Sequence, residues 1–351
     1  MPKRKRPTGG AVTILDVAKH AGVSPMTASR VINENPNVGP AMRERVLASV
    51  KTLGYRPNLA GRSLRTSSTA RIGVLYSNPS AAYLNQFMLG ILEQSSLSGS
   101  QVLIEKCSGI RSQRAATQRL LEAGVDGVIL PPPLCDSPQT LQELDALHIP
   151  TIAVATGAPL EDVTSVRIDD YQGARAMTRY LLELGHRDIG FIKGDPKHTP
   201  TALRTAAFFD VMAEAGIEVP AEYVAQGMFT YRSGLTAASQ LLDLKRRPTA
   251  IFSSNDDMAA AAMAVAHGMG LRIPEDLTVV GFDDTPVATT VWPELTTIHQ
   301  PVTARGRAAV ALMLEDIRRK RNGRSKNPVH QVMKYTLVKR QSSASPPKTR
   351  K

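Results

Sequence analysis

The sequence predicts a small all-α head joined to an α/β body of two doubly wound lobes, and three observations predict it. Charge is uneven along the chain. The hydrophobic period changes from helical to alternating strand and helix near residue 70. The length of 351 residues suggests two or three domains at ~100–200 residues each. With 42% apolar and 21% charged residues the composition is that of a globular chain.

Net charge is +12, and the termini hold it. Residues 1–10 contain Lys3, Arg4, Lys5 and Arg6. Residues 11–70 contain eight Lys/Arg against Asp16, Glu34 and Glu44. Lys348, Arg350 and Lys351 lie in the last eleven residues, and 71–340 is neutral. A basic end before a neutral body is expected where that end meets a polyanion, although a solvated basic face gives the same count. Cys107 and Cys135 are too few for a disulfide scaffold and fit a reducing cytoplasm. The longest apolar run, Met258 to Ala266, has 9 residues. A membrane helix needs ~20, so no membrane partner is expected. The basic N-terminus lacks the apolar stretch of an export signal, which predicts a cytoplasmic protein.

The head reads as helix, turn, helix. Thr13 caps a first helix whose Leu15, Ala18 and Ala21 share a face. Gly22 supplies the positive φ that ends it, and Val23 plugs the turn. Ser24 is an N-cap and Pro25 sits at N1, where a missing N–H costs nothing. Ala28 and Val31 then face inward, leaving Met26, Thr27, Ser29 and Arg30 outward. This is the layout in which a second helix lies in the DNA major groove. A third helix runs Pro40 to Leu53, with Val46, Leu47 and Val50 buried and Gly54 as its stop. A short Asn58-capped segment and the polar stretch 66–70 follow, a hinge that folds on DNA or a plain linker.

In the body, short apolar runs at 72–76, 102–104, 127–130 and 151–154 form one series. Runs at 189–192, 250–253 and 277–282 form a second. Helical stretches separate them, which argues for parallel sheets in two lobes. Ligands of such sheets bind beyond the strand C-termini, so the cleft between lobes is the candidate site. Ser77, Asn78, Asn255, Asp256, Asp283 and Asp284 fall just after strands. Paired acids there can be helix caps, ligand hydrogen-bonders or an acid–base pair. No P-loop, zinc-protease motif, dense Cys/His spacing or nucleophile elbow is present, so no enzyme, cofactor or metal is expected. His186 is read as ordering a helix end, and the Arg318–Arg321 cluster as a basic helix C-terminus. Val332–Val338 is read as one closing strand.

Residues 13–65 resemble the DNA-binding head of the lac repressor family of bacterial regulators. The matching segments are Asp16-Val17-Ala18, Ala21-Gly22-Val23-Ser24, Ser29-Arg30-Val31-Ile32-Asn33, Leu53-Gly54-Tyr55-Arg56-Pro57-Asn58 and Arg62-Ser63-Leu64. The body adds Val166–Gly173, Leu184–Arg187, Asn255–Ala259, Ile273–Asp276, Val279–Asp284 and Leu295–Gln300, so the resemblance spans about 13–340. It implies a periplasmic-binding-protein-like effector domain and a repressor of operator DNA. The implied DNA contacts are Thr13, Ser24, Thr27, Ser29, Arg30 and Asn33, with Pro25 and Met26 choosing bases and Leu64 and Arg65 in the hinge. Pro25 cannot hydrogen-bond a base and Met26 offers only apolar contact, so specificity leans on Arg30, the hinge and DNA shape. Gly61 replaces the family's usual hinge alanine.

The implied effector contacts are Arg204, Phe229, Asn255, Asp283 and Gln300, to which Ser77 and Tyr83 are added from the first lobe. Asp, Asn and Arg fork onto sugar hydroxyls, and an aromatic face stacks on a sugar ring. The first lobe departs from the family at Asn78-Pro-Ser-Ala-Ala-Tyr-Leu84 and at Ala155, where a polar group is usual. The expected organisation is a basic disordered tail (1–11), the head (12–57), a hinge and linker (58–70), the effector domain (71–340) and a disordered tail (341–351). The expected function is a dimeric, sugar-responsive regulator on a pseudo-palindromic operator. A purine- or sugar-acid-responsive regulator of the same build stays open. A solute-binding protein would need an export signal and no head.

Overall fold

The computed structural model describes residues 12–32, 38–55, 69–108, 110–325 and 327–347. The chain divides between Thr69 and Ala70 into two compact units. Asn33, Leu64 and Arg65, with the expected hinge helix and N-terminal tail, lie outside the described residues.

The first unit has three helices, α1 (Ile14–Ala21), α2 (Pro25–Ile32) and α3 (Pro40–Leu53). Thr13 and Asp16 form a reciprocal capping box at the start of α1, and Gly22 ends it at φ 63°. Val17, Ala18, Ala21, Ala28, Val31 and Val46 make the core, flanked by Ile14, Val23, Val50 and Leu53. Leu15 is not part of it: its side chain is 61% exposed. The inward stripe runs 14, 17, 18, 21, the 3.6-residue spacing that leaves position 15 about 100° off the core. Leu47 is likewise exposed, and Ser49 takes the inward place beside Val46. Ser49 Oγ lies 3.0 Å from His20 Nδ1, and Arg45 Nη2 donates to Ala21 O (2.7 Å), tying α3 to the end of α1.

The second unit begins with β1 (Arg71–Tyr76), α4 (Ala81–Ser98), β2 (Gln101–Lys106), α5 (Ile110–Glu122), β3 (Gly127–Leu130), α6 (Pro138–Ala146), β4 (Thr151–Val154) and β5 (Thr164–Ile168). The chain then crosses into α7 (Asp170–Glu183), β6 (Ile189–Lys193), α8 (Thr199–Glu214), β7 (Val224–Gln226), α9 (Tyr231–Leu242), β8 (Ala250–Ser253), α10 (Asp256–Gly268), β9 (Thr278–Val280), α11 (Val287–Thr290) and β10 (Thr297–His299). It returns as α12 (Val302–Arg321) and β11 (His330–Met333), and crosses a third time into β12 (Thr336–Val338).

Lobe 1 is a six-stranded parallel sheet in the order β11-β5-β4-β3-β1-β2. Lobe 2 is a four-stranded parallel sheet, β7-β6-β8-β9, with the antiparallel pair β10-β12 beside it. The expected single strand over Val332–Val338 is thus two. β11 joins lobe 1 and β12 joins lobe 2, because Lys334 and Tyr335 carry the chain between sheets without breaking its extended pattern. In lobe 1, α4 and α12 approach at Gly90 and Gly306. A Cβ at Gly90 would strike the Thr303 carbonyl, and one at Gly306 would strike that of Phe87.

Residues 341–347 are not a loose tail. Ser342 Oγ donates to Val279 O (2.6 Å), and Thr278 Oγ1 donates to Ala344 O (3.1 Å). The Ala344 carbonyl also lies 2.8 Å from His186 Nε2, whose Nδ1 meets Thr249 Oγ1. His186 therefore pins this segment to lobe 2 as well as the end of α7; burial depresses its pKa. Small polar residues look disordered in isolation, but here they satisfy backbone groups at the edge of β9.

Candidate functional site

Between the lobes the strand C-termini and the crossovers line a cavity of about 40 Å³ that opens to solvent. Six of the seven expected effector residues line it: Tyr83, Arg204, Phe229, Asn255, Asp283 and Gln300. Ser77 does not. The strand ends at Tyr76, and the turn brings Asn78 and Ser80 to the cavity instead. Sequence reasoning also missed Pro132, His198, Pro200 and Arg305, while Ala155 lines the cavity as the apolar departure noted above.

Lobe 2 holds its side chains tightly. Arg204, on α8, donates through Nε (2.9 Å) and Nη2 (2.7 Å) to Asp170 Oδ1 at the start of α7. Its Nη1 donates to Ser254 O (2.5 Å), and its guanidinium lies 3.6 Å above the Phe282 ring. Asn255 caps α10 by accepting from Met258 N (3.1 Å), while its Nδ2 donates to Phe229 O (3.1 Å). That second bond helps hold Phe229 at φ 58°. Asp283, at φ 117°, and Ala155, at φ 57°, are also in the left-handed region. Each such residue costs ~1–3 kcal/mol, and all three face one cavity.

The acids after the strands divide by role. Asp256 is fully buried behind the cavity, accepting from Thr285 N (2.7 Å) and Thr297 Oγ1 (2.6 Å). Burial, then the nearby Asp283, pushes its pKa well up. Asp284 pairs with Arg340 (2.6 Å) and His299 (2.9 Å). Only Asp283 of these reaches the cavity. It accepts from Gln300 Nε2 and faces Arg204 Nη1 at 3.7 Å. Burial raises its pKa to about 7 against the opposing pull of Arg204.

Lobe 1 presents Tyr83 from α4 and Arg305 from α12. Arg305 Nη1 donates to Tyr83 Oη (3.1 Å) and its Nη2 to Gln300 Oε1. His198, beside Phe229 at 5.1 Å between ring centroids, has no hydrogen-bond partner for Nε2, and Asp195 Oδ2 lies 3.9 Å from it. Burial lowers its pKa to about 4. The lobes also meet directly. Ser80 Oγ donates to Asp257 Oδ2 (2.7 Å), and Thr199 Oγ1 donates to Asp136 Oδ2 (2.8 Å) while accepting from Gly157 N (2.6 Å).

In the head, Thr27 N donates to Ser24 Oγ (3.1 Å), the expected N-cap of α2. Pro25, Met26 and Arg30 are exposed, Thr27 and Ser29 half-exposed, and Thr13 stands exposed at the start of α1. Among the described residues no group of three His, Cys, Asp or Glu gathers as a metal site, and no helix is long and apolar enough to cross a membrane.

A helix-turn-helix unit and a two-lobed unit with a polar, aromatic-lined cavity define an effector-responsive DNA-binding regulator. Residues 13–58 match the family of bacterial regulatory proteins, lacI family, and 178–343 match a periplasmic binding protein-like domain. The chain is 36% identical over 341 residues to the HTH-type transcriptional repressor PurR of Klebsiella pneumoniae subsp. pneumoniae, covering 95% of this chain and 98% of that protein. PurR of Salmonella arizonae is 36% identical over 340 residues, with the same coverage. Among solved structures, the lac repressor dimer bound to operator and the anti-inducer ONPF superposes with a TM-score of 0.81 at 29% identity, over 95% of this chain and 100% of that one. The transcriptional regulator CelR in complex with cellobiose gives 0.70 at 32% identity, over 94% and 99%. The chain belongs to the lacI family of bacterial regulators. It is a DNA-binding transcriptional repressor that answers to a small-molecule effector, and it is not an enzyme.

Proposed function

We propose that this repressor works in the cytoplasm as a homodimer on a pseudo-palindromic operator and releases or grips it in response to a sugar-class effector. The cavity carries the proposal. Its Arg204, Asn255, Asp283 and Gln300 present alternating donors and acceptors around one aromatic face, Phe229, the pattern that suits a ring with hydroxyls on its rim. The solved complex of CelR with cellobiose supports the same class. In the head, Thr13, Ser24, Thr27, Ser29 and Arg30, with Asn33, Leu64 and Arg65, contact DNA, and Pro25 and Met26 meet base edges.

A dimer supplies two heads for two half-sites. Leu89, Leu92 and Leu97 along α4 are exposed apolar residues that a second copy would cover. Because the cavity lies between lobes, a bound effector shifts their opening equilibrium, and a coupling of ~1–3 kcal/mol would change operator affinity ~5–150-fold.

The test is a thermal-melt screen against mono- and disaccharides, sugar acids, sugar phosphates and purines. A ligand at ~100 times its Kd adds about 2.7 kcal/mol of stability. The expected hit is a sugar-class compound that also changes the mobility of operator complexes. A hit confined to purines would sink the sugar reading and leave the DNA-binding half standing. Sedimentation at micromolar concentration tests the dimer against the 37.9 kDa single chain.

A further inference from the structure

We propose that the effector carries an oxyanion, the carboxylate of a sugar acid, and that Arg305 receives it. This rests on the reading of the cavity as a sugar site and narrows it.

Arg305 stands in the first turn of α12, lines the cavity and is fully buried, 0% exposed. A buried guanidinium is expensive unless a negative charge meets it. Its partner at the far wall shows the usual solution: Arg204 is ion-paired to Asp170 at 2.7 Å. Arg305 joins no ion pair among the described residues. Two of its five N–H bonds go to neutral acceptors, Tyr83 Oη and Gln300 Oε1, and Nε has no partner.

Asp283, the one carboxylate among the residues lining the cavity, does not fill the gap. It accepts from Gln300 Nε2 and faces Arg204, so Gln300 stands between it and Arg305. His198 adds a second nitrogen without a hydrogen bond, Nε2, on the same cavity, although Asp195 Oδ2 lies 3.9 Å from it. The residues lining the cavity therefore include two guanidinium groups and one carboxylate, and one of the two cations is unpaired. A planar carboxylate matches the planar fork of Arg305 in geometry and charge. A phosphate dianion would bring a second negative charge toward Asp283, which favours the carboxylate. The placement also accounts for the first-lobe departures. Ala155 offers no polar side chain to a ligand, and Arg305 supplies a charged group to that wall from a helix instead of a loop.

The experiment uses the full chain and matched probes: D-glucose with D-gluconate and D-glucuronate, D-galactose with D-galacturonate, and glucose 6-phosphate. Acetate and inorganic phosphate serve as minimal anions against sodium chloride of equal ionic strength. Melts rank the probes and calorimetry gives Kd. The expected result is a sugar acid bound at least ~10-fold tighter than its neutral parent. That preference should fall to within about twofold in Arg305→Met and be kept in part by Arg305→Lys, which retains the charge. If Arg305→Met does not fold, Arg305→Gln takes its place. A neutral sugar bound as tightly as its acid, or a preference for acid that Arg305→Met leaves intact, overturns the proposal and spares the sugar reading. Arg305-dependent binding of acetate or phosphate with no sugar acid bound overturns the sugar reading and the sugar-acid assignment with it, leaving only an anion site at Arg305. Tight binding of glucose 6-phosphate over every carboxylate moves the site to phosphate and overturns the carboxylate assignment. Silence of every anion and of every neutral sugar, with or without a purine hit, overturns both.

Discussion

The two walls of the cavity are built differently. On lobe 2, Arg204, Asn255 and Phe229 are each held by protein partners: Asp170 and Ser254 for the arginine, Met258 for the amide, and Asn255 for the Phe229 backbone. On lobe 1, Arg305 donates only to the neutral acceptors Tyr83 Oη and Gln300 Oε1, and Arg305 Nε makes no hydrogen bond. A wall already satisfied by its own fold orients a ligand at little reorganisation cost. A wall with unspent donors gains most when the ligand arrives. The difference teaches where affinity and where specificity reside: lobe 2 is the fixed template, and lobe 1 is where the ligand's chemistry is checked.

The largest effect should come from breaking the satisfied wall. Arg204→Met strands Asp170, which is nearly fully buried, without its cation. Leaving one charge of a buried pair costs ~3–5 kcal/mol. Urea unfolding of the variant should show that loss, together with loss of effector binding. A change below about 1 kcal/mol would mean that the lobe 2 wall is not the rigid template described above. The same treatment of lobe 1, Arg305→Met, should cost far less, since no carboxylate loses a partner.

Acidity sharpens the comparison through two buried groups. His198 has its pKa lowered, by burial first, to about 4. Between about 4 and its unfolded value near 6.5 the unfolded chain binds the extra proton, so this group makes stability rise with pH. Asp283 has its pKa raised, by burial first, to about 7. Between about 3.8 and 7 the folded chain keeps the extra proton, so this group makes stability fall as pH rises. The two slopes oppose each other over nearly one window. Their joint contribution should be almost flat in the native protein; relative to it, His198→Gln should tilt stability downward with rising pH and Asp283→Asn should tilt it upward. Each single slope amounts to a few kcal/mol, on the order expected for shifts of this size. Denaturant melts from pH 4 to 7 measure both; parallel curves for the two variants would contradict the opposed signs.

How much of this was legible in the sequence depended on whether a local rule or a tertiary neighbour decided the matter. The α2 cap at Ser24 and the stop at Gly22 follow from local backbone chemistry, and both were readable. Leu15 departs from its expected inward place because Val17 and Ala18, not the leucine, set the buried stripe of α1. Asn255 and Asp283 follow predicted strands, so topology places them at the cleft, whereas Gln300 is legible only through the family resemblance. Arg305 was invisible: Thr-Ala-Arg-Gly-Arg reads as a solvated basic helix start. Its burial follows from the close approach of α4 at Gly306, a contact between residues far apart in the chain. The 341–347 segment was missed for the same reason, since Ser342 and Ala344 find partners on β9 and His186 that no local pattern signals.

The α4–α12 contact is itself testable. Gly90→Ala should push α12 away from α4, because the new Cβ meets the backbone carbonyl of Thr303 and backbone cannot swing aside. Overpacking of this kind costs ~1–3 kcal/mol. Because Thr303 is two residues from Arg305, the variant should also weaken the acid-over-neutral preference while leaving the lobe 2 contacts intact. A stable variant with unchanged ligand preference would detach Arg305's position from that helix pair.

The smallest expected effect concerns the link between the walls. Ser80 Oγ donates to Asp257 Oδ2 at 2.7 Å, joining the N-cap of α4 in lobe 1 to the start of α10 in lobe 2. Burial raises the pKa of Asp257, and the Ser80 bond opposes that rise. The bond thus favours the charged acid, and Asp257→Asn turns a charge-assisted bond into a neutral one. The difference is ~0.5–1.5 kcal/mol. Unlike a change in either wall, this one leaves every cavity-lining residue in place. It should therefore act on lobe closure, lowering apparent effector affinity by up to ~10-fold and enlarging the unliganded particle in solution scattering. Unchanged scattering with reduced affinity would place Asp257 among the ligand's own contacts. Unchanged affinity would show that the closed arrangement is held by Asp136 and Thr199, whose bonds across the cleft do not involve α4.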